Sequence, residues 1–178
     1  MIDRMPPLDP SRLDDAQRRA AQALIDGPRK GVFGPFVPLL RSPELMDRLQ
    51  RVGEYLRFDN AIPARLNELA IAITARHAGN AFEWAVHRPL AARAGVSEQA
   101  LDAIAAGERP AGMPEDDALV HDFVAELLRT HFVSDALYAV ARERFGERGI
   151  VDLVGTVGYF LAISLVMNVA GTPAPAGS

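Results

Sequence analysis

No cysteine occurs in the 178 residues, which removes disulfides, thiolate metal ligands and every thiol-based mechanism. Lysine is nearly missing too, since eighteen of the nineteen basic residues are Arg. These arginines are scattered among acids and form no basic stripe of the kind a phosphate backbone needs, so nucleic-acid binding is not expected. The segment Met1 to Pro10 lacks the apolar stretch and small-residue cleavage site of a secretory signal, and cytoplasmic residence is the simplest expectation. Glycine-rich phosphate loops, G-x-S-x-G elbows and dinucleotide fingerprints are absent as well. Long apolar runs are confined to Ile150–Ala170, which is long enough to cross a bilayer. Asp152, Thr156, Ser164 and Asn168 interrupt it and no basic cluster flanks it, so the centre of a helical bundle or a subunit interface is expected in place of a membrane span.

The composition that remains is that of an ordinary globular protein: 49% hydrophobic, 24% charged, with a formal net charge of −4. One domain over residues 1–178 is expected, with 1–10 and 171–178 as extended tails. Ser11, followed by Asp14 and Asp15, predicts a helix closed by Gly27 and Pro28. A loop from Gly27 to Pro38 carries Phe33 and Phe36, placed either to cover a pocket or to cap the core. Further helices are expected from Ser42 to about Phe58, Ala64 to about Ala78 and Phe82 to Ala94. Others follow from Ser97 to Ala106, Pro114 to about Thr130, Ser134 to Phe145 and Ile150 to Ala170. No segment alternates apolar and polar residues as a strand would, so the fold class is all-α.

Chemistry concentrates between Glu68 and Gly95. Glu83 and His87 are four apart, a spacing that stacks carboxylate and imidazole on one helical face and raises the imidazole pKa. The same pattern also describes a plain helical ion pair. Pro89 cannot donate to the Ala85 carbonyl, so a loosened helix beside His87 is expected. Glu68, inside a helix that otherwise reads as core, wants a partner, and a break at Gly79 and Asn80 lets the next helix bring His87 to it. Pairing with Arg65 is the alternative. His77 reads as a core histidine and His121 as solvated, while His131 sits beyond a helix end. Glu83 and His87 have no obvious third metal ligand, so neither metal nor cofactor is expected.

The strings Asn67-Glu68-Leu69, Ala75-Arg76-His77-Ala78-Gly79-Asn80, Glu83-Trp84-Ala85-Val86-His87 and Pro89 through Ser97 resemble the carboxymuconolactone decarboxylase and alkylhydroperoxidase D superfamily. In its peroxidase branch a Glu is followed by Cys-x-x-Cys and then His. Glu68, Asn80, Glu83 and His87 hold those places here, so both cysteines are replaced and thiol peroxidase activity does not carry over. The decarboxylase branch is similar at Glu83 and His87. Gly34-Pro35-Phe36 and Val157-Gly158-Tyr159 look like a longer, decarboxylase-like subgroup.

That resemblance implies an alkylhydroperoxidase D-like bundle in a homotrimer or hexamer. It implies a cofactor-free lyase for a carboxylated unsaturated lactone of the 4-carboxymuconolactone type, in aromatic-compound catabolism. His87, Glu83 and Glu68 are then the expected catalytic residues. Asn80, Trp84, Arg65, Arg76 and Phe36 are the expected substrate contacts, with Arg88 a further candidate cation. A non-redox binding or structural oligomer and a lactone isomerase or hydrolase are the competing functions.

Overall fold

Residues 2–175 are described by the computed structural model, and every regular element among them is helical. A single 3-10 turn, Pro10–Arg12, precedes eight helices: α1 (Asp15–Asp26), α2 (Phe36–Leu39), α3 (Pro43–Phe58), α4 (Ala64–His77), α5 (Ala81–Ala94), α6 (Glu98–Ala106), α7 (Glu115–Thr130) and α8 (Asp135–Ala170). The span labelled α8 is the two expected C-terminal helices joined across a kink at Gly146, whose φ of 67° and ψ of 174° are not helical.

Local chemistry sets most of these boundaries. Asn80 and Ser97 accept backbone N–H bonds from Glu83 and Ala100 at the starts of α5 and α6. At α1 the cap is Asp14 and not Ser11: Asp14 accepts from the Gln17 N–H while Gln17 accepts from that of Asp14, a reciprocal capping box. Ser11 instead lies in the preceding 3-10 turn, bonded to Asp9. Part of the expected loop is helical as α2, which seats Phe36 in a cluster with Leu24, Leu39 and Met46.

Helix α4 is the centre of the protein. It packs against α5, α6, α7 and α8, and residues from Leu66 to Ala75 are buried except for half-covered Glu68. This is why its sequence is apolar on both sides. Gly79, at φ 61°, supplies the left-handed residue that turns α5 back along α4. Helix α8 is the one helix among the described residues long and apolar enough to cross a membrane. It lies against α4, α7 and α3, and 56% of its most apolar window is buried. Its outer side exposes Val151, Val154, Leu165 and Val169.

The N-terminal tail is tied down: the Arg4 N–H donates to the Ala170 carbonyl, and Arg41 reaches the Pro6 carbonyl. Gly171–Pro175 follows α8 without regular structure, and the last three residues of the expected tail, 176–178, lie outside the described residues, as does residue 1.

Candidate functional site: a histidine held between two carboxylates

The turn at Gly79 lays α5 against α4 and brings Glu68 to His87, nineteen residues apart in sequence. His87 Nδ1 stands 2.7 Å from Glu68 Oε2, and Nε2 stands 3.2 Å from Glu83 Oε2. Arg65 is not the partner of Glu68; it pairs with Asp117. The imidazole is 2% exposed and Glu83 is 3% exposed, with the edge of the ring packed on Phe160 at 5.1 Å. Burial is the largest single influence on His87 and pushes its pKa down. The two carboxylates together outweigh it and hold the pKa above the ordinary imidazole value. In its protonated form the ring donates one N–H to each carboxylate, and both contacts favour that form.

Only one of these carboxylates lines a cavity, although Glu68 is the more solvent-exposed of the two. Glu83 and His87 line a cavity of about 40 Å³ together with Arg29, Phe33, Phe36, Arg57, Tyr159 and Phe160, among others, whereas Glu68 is not on its wall. Glu68 therefore holds the ring from behind, and the His87–Glu83 contact is the part a ligand can reach. Of the two contacts on the ring, the closer belongs to Glu68.

Of the expected substrate contacts, Phe36 lines this cavity and the other four do not. Asn80 is buried, but its oxygen accepts from the Glu83 N–H at 2.8 Å and its amide donates to the Ser164 carbonyl and Asn168 Oδ1. It caps a helix and has no free donor to offer. Trp84 turns to the other side of α5 and packs on the main core. Arg65 lies in a separate open cleft with Asp116 and Arg144. Arg76 donates to the Ala105 carbonyl at 2.6 Å and belongs to a second open cleft of about 660 Å³. Arg88 is paired with Asp102 and Glu98. Those two clefts are larger than the His87 cavity, but their acids and arginines neutralise one another, as Arg109 does Asp122 and Arg144 does Asp116.

Three other expectations are corrected. His77 is exposed where α4 runs out of the core, and His121 is buried, 8% exposed, because the covered arc of α7 extends beyond its apolar stripe to Asp117 and His121. Helix α5 continues through Pro89 to Ala94 without a break, and Ala85 is not part of the cavity wall. Among the described residues no cluster of His, Asp and Glu is arranged to hold a metal.

The cavity's remaining polar walls were not anticipated. Arg29 comes from the loop after α1, Arg57 from the last turn of α3 and Tyr159 from α8. Arg29 sits over the Phe36 ring at 4.7 Å. Burial lowers the Arg29 pKa and raises that of Tyr159 to about 12. Gly53 makes room for both, since a Cβ there would collide with the Tyr159 hydroxyl and the Arg29 guanidinium.

Comparison with known proteins fits this arrangement. The model of the carboxymuconolactone decarboxylase family matches residues 43–121. The matched segment contains Glu68, Glu83, His87, Gly53 and Arg57, and leaves Arg29 and Tyr159 outside it. The expected resemblance to the wider superfamily is thereby borne out. No curated protein matches the chain. Among solved structures, one described as an alkylhydroperoxidase AhpD core, an uncharacterized peroxidase-related protein from Ralstonia eutropha JMP134, superposes with a TM-score of 0.78 at 17% identity. The superposition covers 99% of this chain and 94% of that one. At that identity the likeness establishes the fold, and the expected alkylhydroperoxidase D-like bundle is the fold observed.

Proposed function

We propose that this protein is a lyase-type enzyme of the carboxymuconolactone decarboxylase family, acting without a cofactor on a carboxylated unsaturated lactone in aromatic-compound catabolism. The observation that carries the reading is the buried His87 imidazole held by Glu68 at one nitrogen while the ring and Glu83 line a cavity. When carbon dioxide leaves such a lactone, the electron pair of the broken bond moves through the double bond onto the lactone carbonyl. The resulting enolate collapses by taking a proton at a ring carbon. The proton shared by His87 Nε2 and Glu83 is the one positioned for that step, and Glu68 keeps the ring charged until it is given up.

The cavity has room for a carboxylate group or a water or two, not for a whole lactone. The ring therefore enters by displacing the loop that carries Phe33, a wall residue 50% exposed at its surface. Cytoplasmic residence remains part of this reading, as does a homotrimer or hexamer in which further copies cover Val151, Val154, Leu165 and Val169.

Incubation of the purified protein with 4-carboxymuconolactone tests the reaction. Release of carbon dioxide with formation of the enol-lactone is expected, and its loss in His87→Ala. No turnover, or turnover indifferent to His87, overturns the reading. A second reading, a non-redox binding protein, draws support from the occupation of both His87 nitrogens by carboxylates; it predicts ligand binding without any product.

A further inference from the structure

Buried polar atoms in folded proteins nearly always have partners, and the exceptions in this molecule gather at one place. Of the five buried side-chain nitrogens and oxygens without a hydrogen-bond partner among the described residues, four belong to Arg29, Arg57 and Tyr159. They are Arg29 Nε and Nη2, Arg57 Nε and Tyr159 Oη, and all three residues line the His87 cavity. The Glu54 and Glu83 carboxylates are both near enough to favour the Arg29 charge; Glu83 is on the cavity wall and Glu54 is not, and no hydrogen bond joins either of them to Arg29.

The missing partner can be described by its chemistry. Three of the four atoms are guanidinium nitrogens that only donate, and the Tyr159 hydroxyl, which can also accept, has Arg29 beside it. Two of the groups are cations, and a water or a neutral carbonyl supplies at most two acceptor lone pairs. A carboxylate supplies about four, in the plane that a guanidinium fork matches. The cavity volume of about 40 Å³ fits that head group. The protein also gives up a side chain at Gly53, in the middle of α3, to seat the Tyr159 and Arg29 side chains where they line the cavity.

We infer that Arg29, Arg57 and Tyr159 form a carboxylate-binding subsite beside His87, for small organic monocarboxylates or for the carboxylate arm of a larger substrate. As a step in catalysis the subsite rests on the function proposed above; as a binding site it stands independently. Arg29 lies outside the segment that the family model matches, so this recognition is assembled between that segment and its flanks.

Thermal melting of the full chain in sodium acetate, against sodium chloride at equal ionic strength, tests it. Acetate is expected to raise the melting temperature saturably beyond chloride. Arg29→Met and Arg57→Met are each expected to weaken the response at least tenfold, with melting temperatures in chloride no lower than wild type, since each removes a buried donor that lacks a partner. Arg51→Met, on the exposed side of α3, keeps the response. Arg29→Lys and Arg57→Lys guard against misfolding by retaining the charge, and are expected to retain part of the acetate effect. Absence of a saturable effect in the wild type, or an undiminished effect in both Met variants, overturns the subsite. Acetate binding without lactone turnover removes the proposed reaction and leaves the subsite standing; lactone turnover that acetate does not inhibit does the reverse.

Discussion

Two sets of buried polar side chains join α8 to the rest of the protein, and they are completed differently. In the first, Asn67 Oδ1 accepts from Asn60 Nδ2 at 2.9 Å and from the Thr156 hydroxyl at 3.0 Å, while its amide donates to the Leu56 carbonyl. Close by, Asp152 accepts from the Tyr55 hydroxyl and the Ala61 N–H. Each of these side chains has protein partners, as a structural network requires. In the second, around His87, the imidazole is held at both nitrogens but Arg29, Arg57 and Tyr159 retain buried donors without a hydrogen-bond partner among the described residues. The same fold can satisfy polar groups thoroughly where it needs only to hold together. The open donors thus mark the place where a ligand completes the protein.

The largest effect is expected where the two kinds of group meet. His87→Ala leaves the buried Glu83 and the partly covered Glu68 without their shared partner and should cost about 3–5 kcal/mol at neutral pH in a denaturant titration. The sign with pH follows from the raised pKa of His87. Its contribution is complete below the unfolded value of about 6.5 and is lost as pH rises through the higher folded value. Wild-type stability should therefore fall over that alkaline interval, and the variant should lack that part of the slope. Next, Asn67→Leu strips the saturated network of its centre and leaves the Asn60 amide and Thr156 hydroxyl unmatched, for a loss of about 1–3 kcal/mol. Gly53→Ala should cost a similar amount, roughly 1–3 kcal/mol, by forcing a methyl against the Tyr159 hydroxyl. That loss should shrink when Tyr159→Phe is added, a coupling that a double-mutant cycle measures.

Tyr159→Phe alone is the smallest and most telling change. Removing a hydroxyl from the saturated network, as in Tyr55→Phe, should destabilise. Removing the unpartnered Tyr159 hydroxyl should stabilise the protein in chloride by about 1 kcal/mol while weakening its response to acetate. Equal losses from Tyr55→Phe and Tyr159→Phe would erase the distinction between the two regions.

Helix ends were readable in the sequence because capping is local chemistry: Asn80, Ser97, Gly95 and Gly107 each act within a few residues of themselves. The misreadings have local causes too. Ser11 yielded to Asp14 because Gln17 could close a capping box with it, and four-residue α2 is too short for a periodic signal. Glu68, Glu83 and His87 could be singled out because ionisable residues in otherwise apolar helices stand out, and because the Gly79 turn makes α4 and α5 neighbours. Arg29, Arg57 and Tyr159 come from three distant elements, so no spacing links them. Two faint signals were present: a glycine, Gly53, inside α3, where it lowers helix stability without an evident return, and a tyrosine in the apolar run of α8, where a hydroxyl needs a partner.

The central claim is that His87 is a buried imidazolium held by Glu68 and shared with Glu83. Nitrogen-15 NMR of the histidine side chains across a pH titration examines it directly. The account predicts His87 protonated at both nitrogens at pH 7, with a midpoint above the ordinary value of about 6.5, and a lowered midpoint in Glu68→Gln. A neutral His87 at pH 7, protonated at a single nitrogen in the wild type, would contradict it.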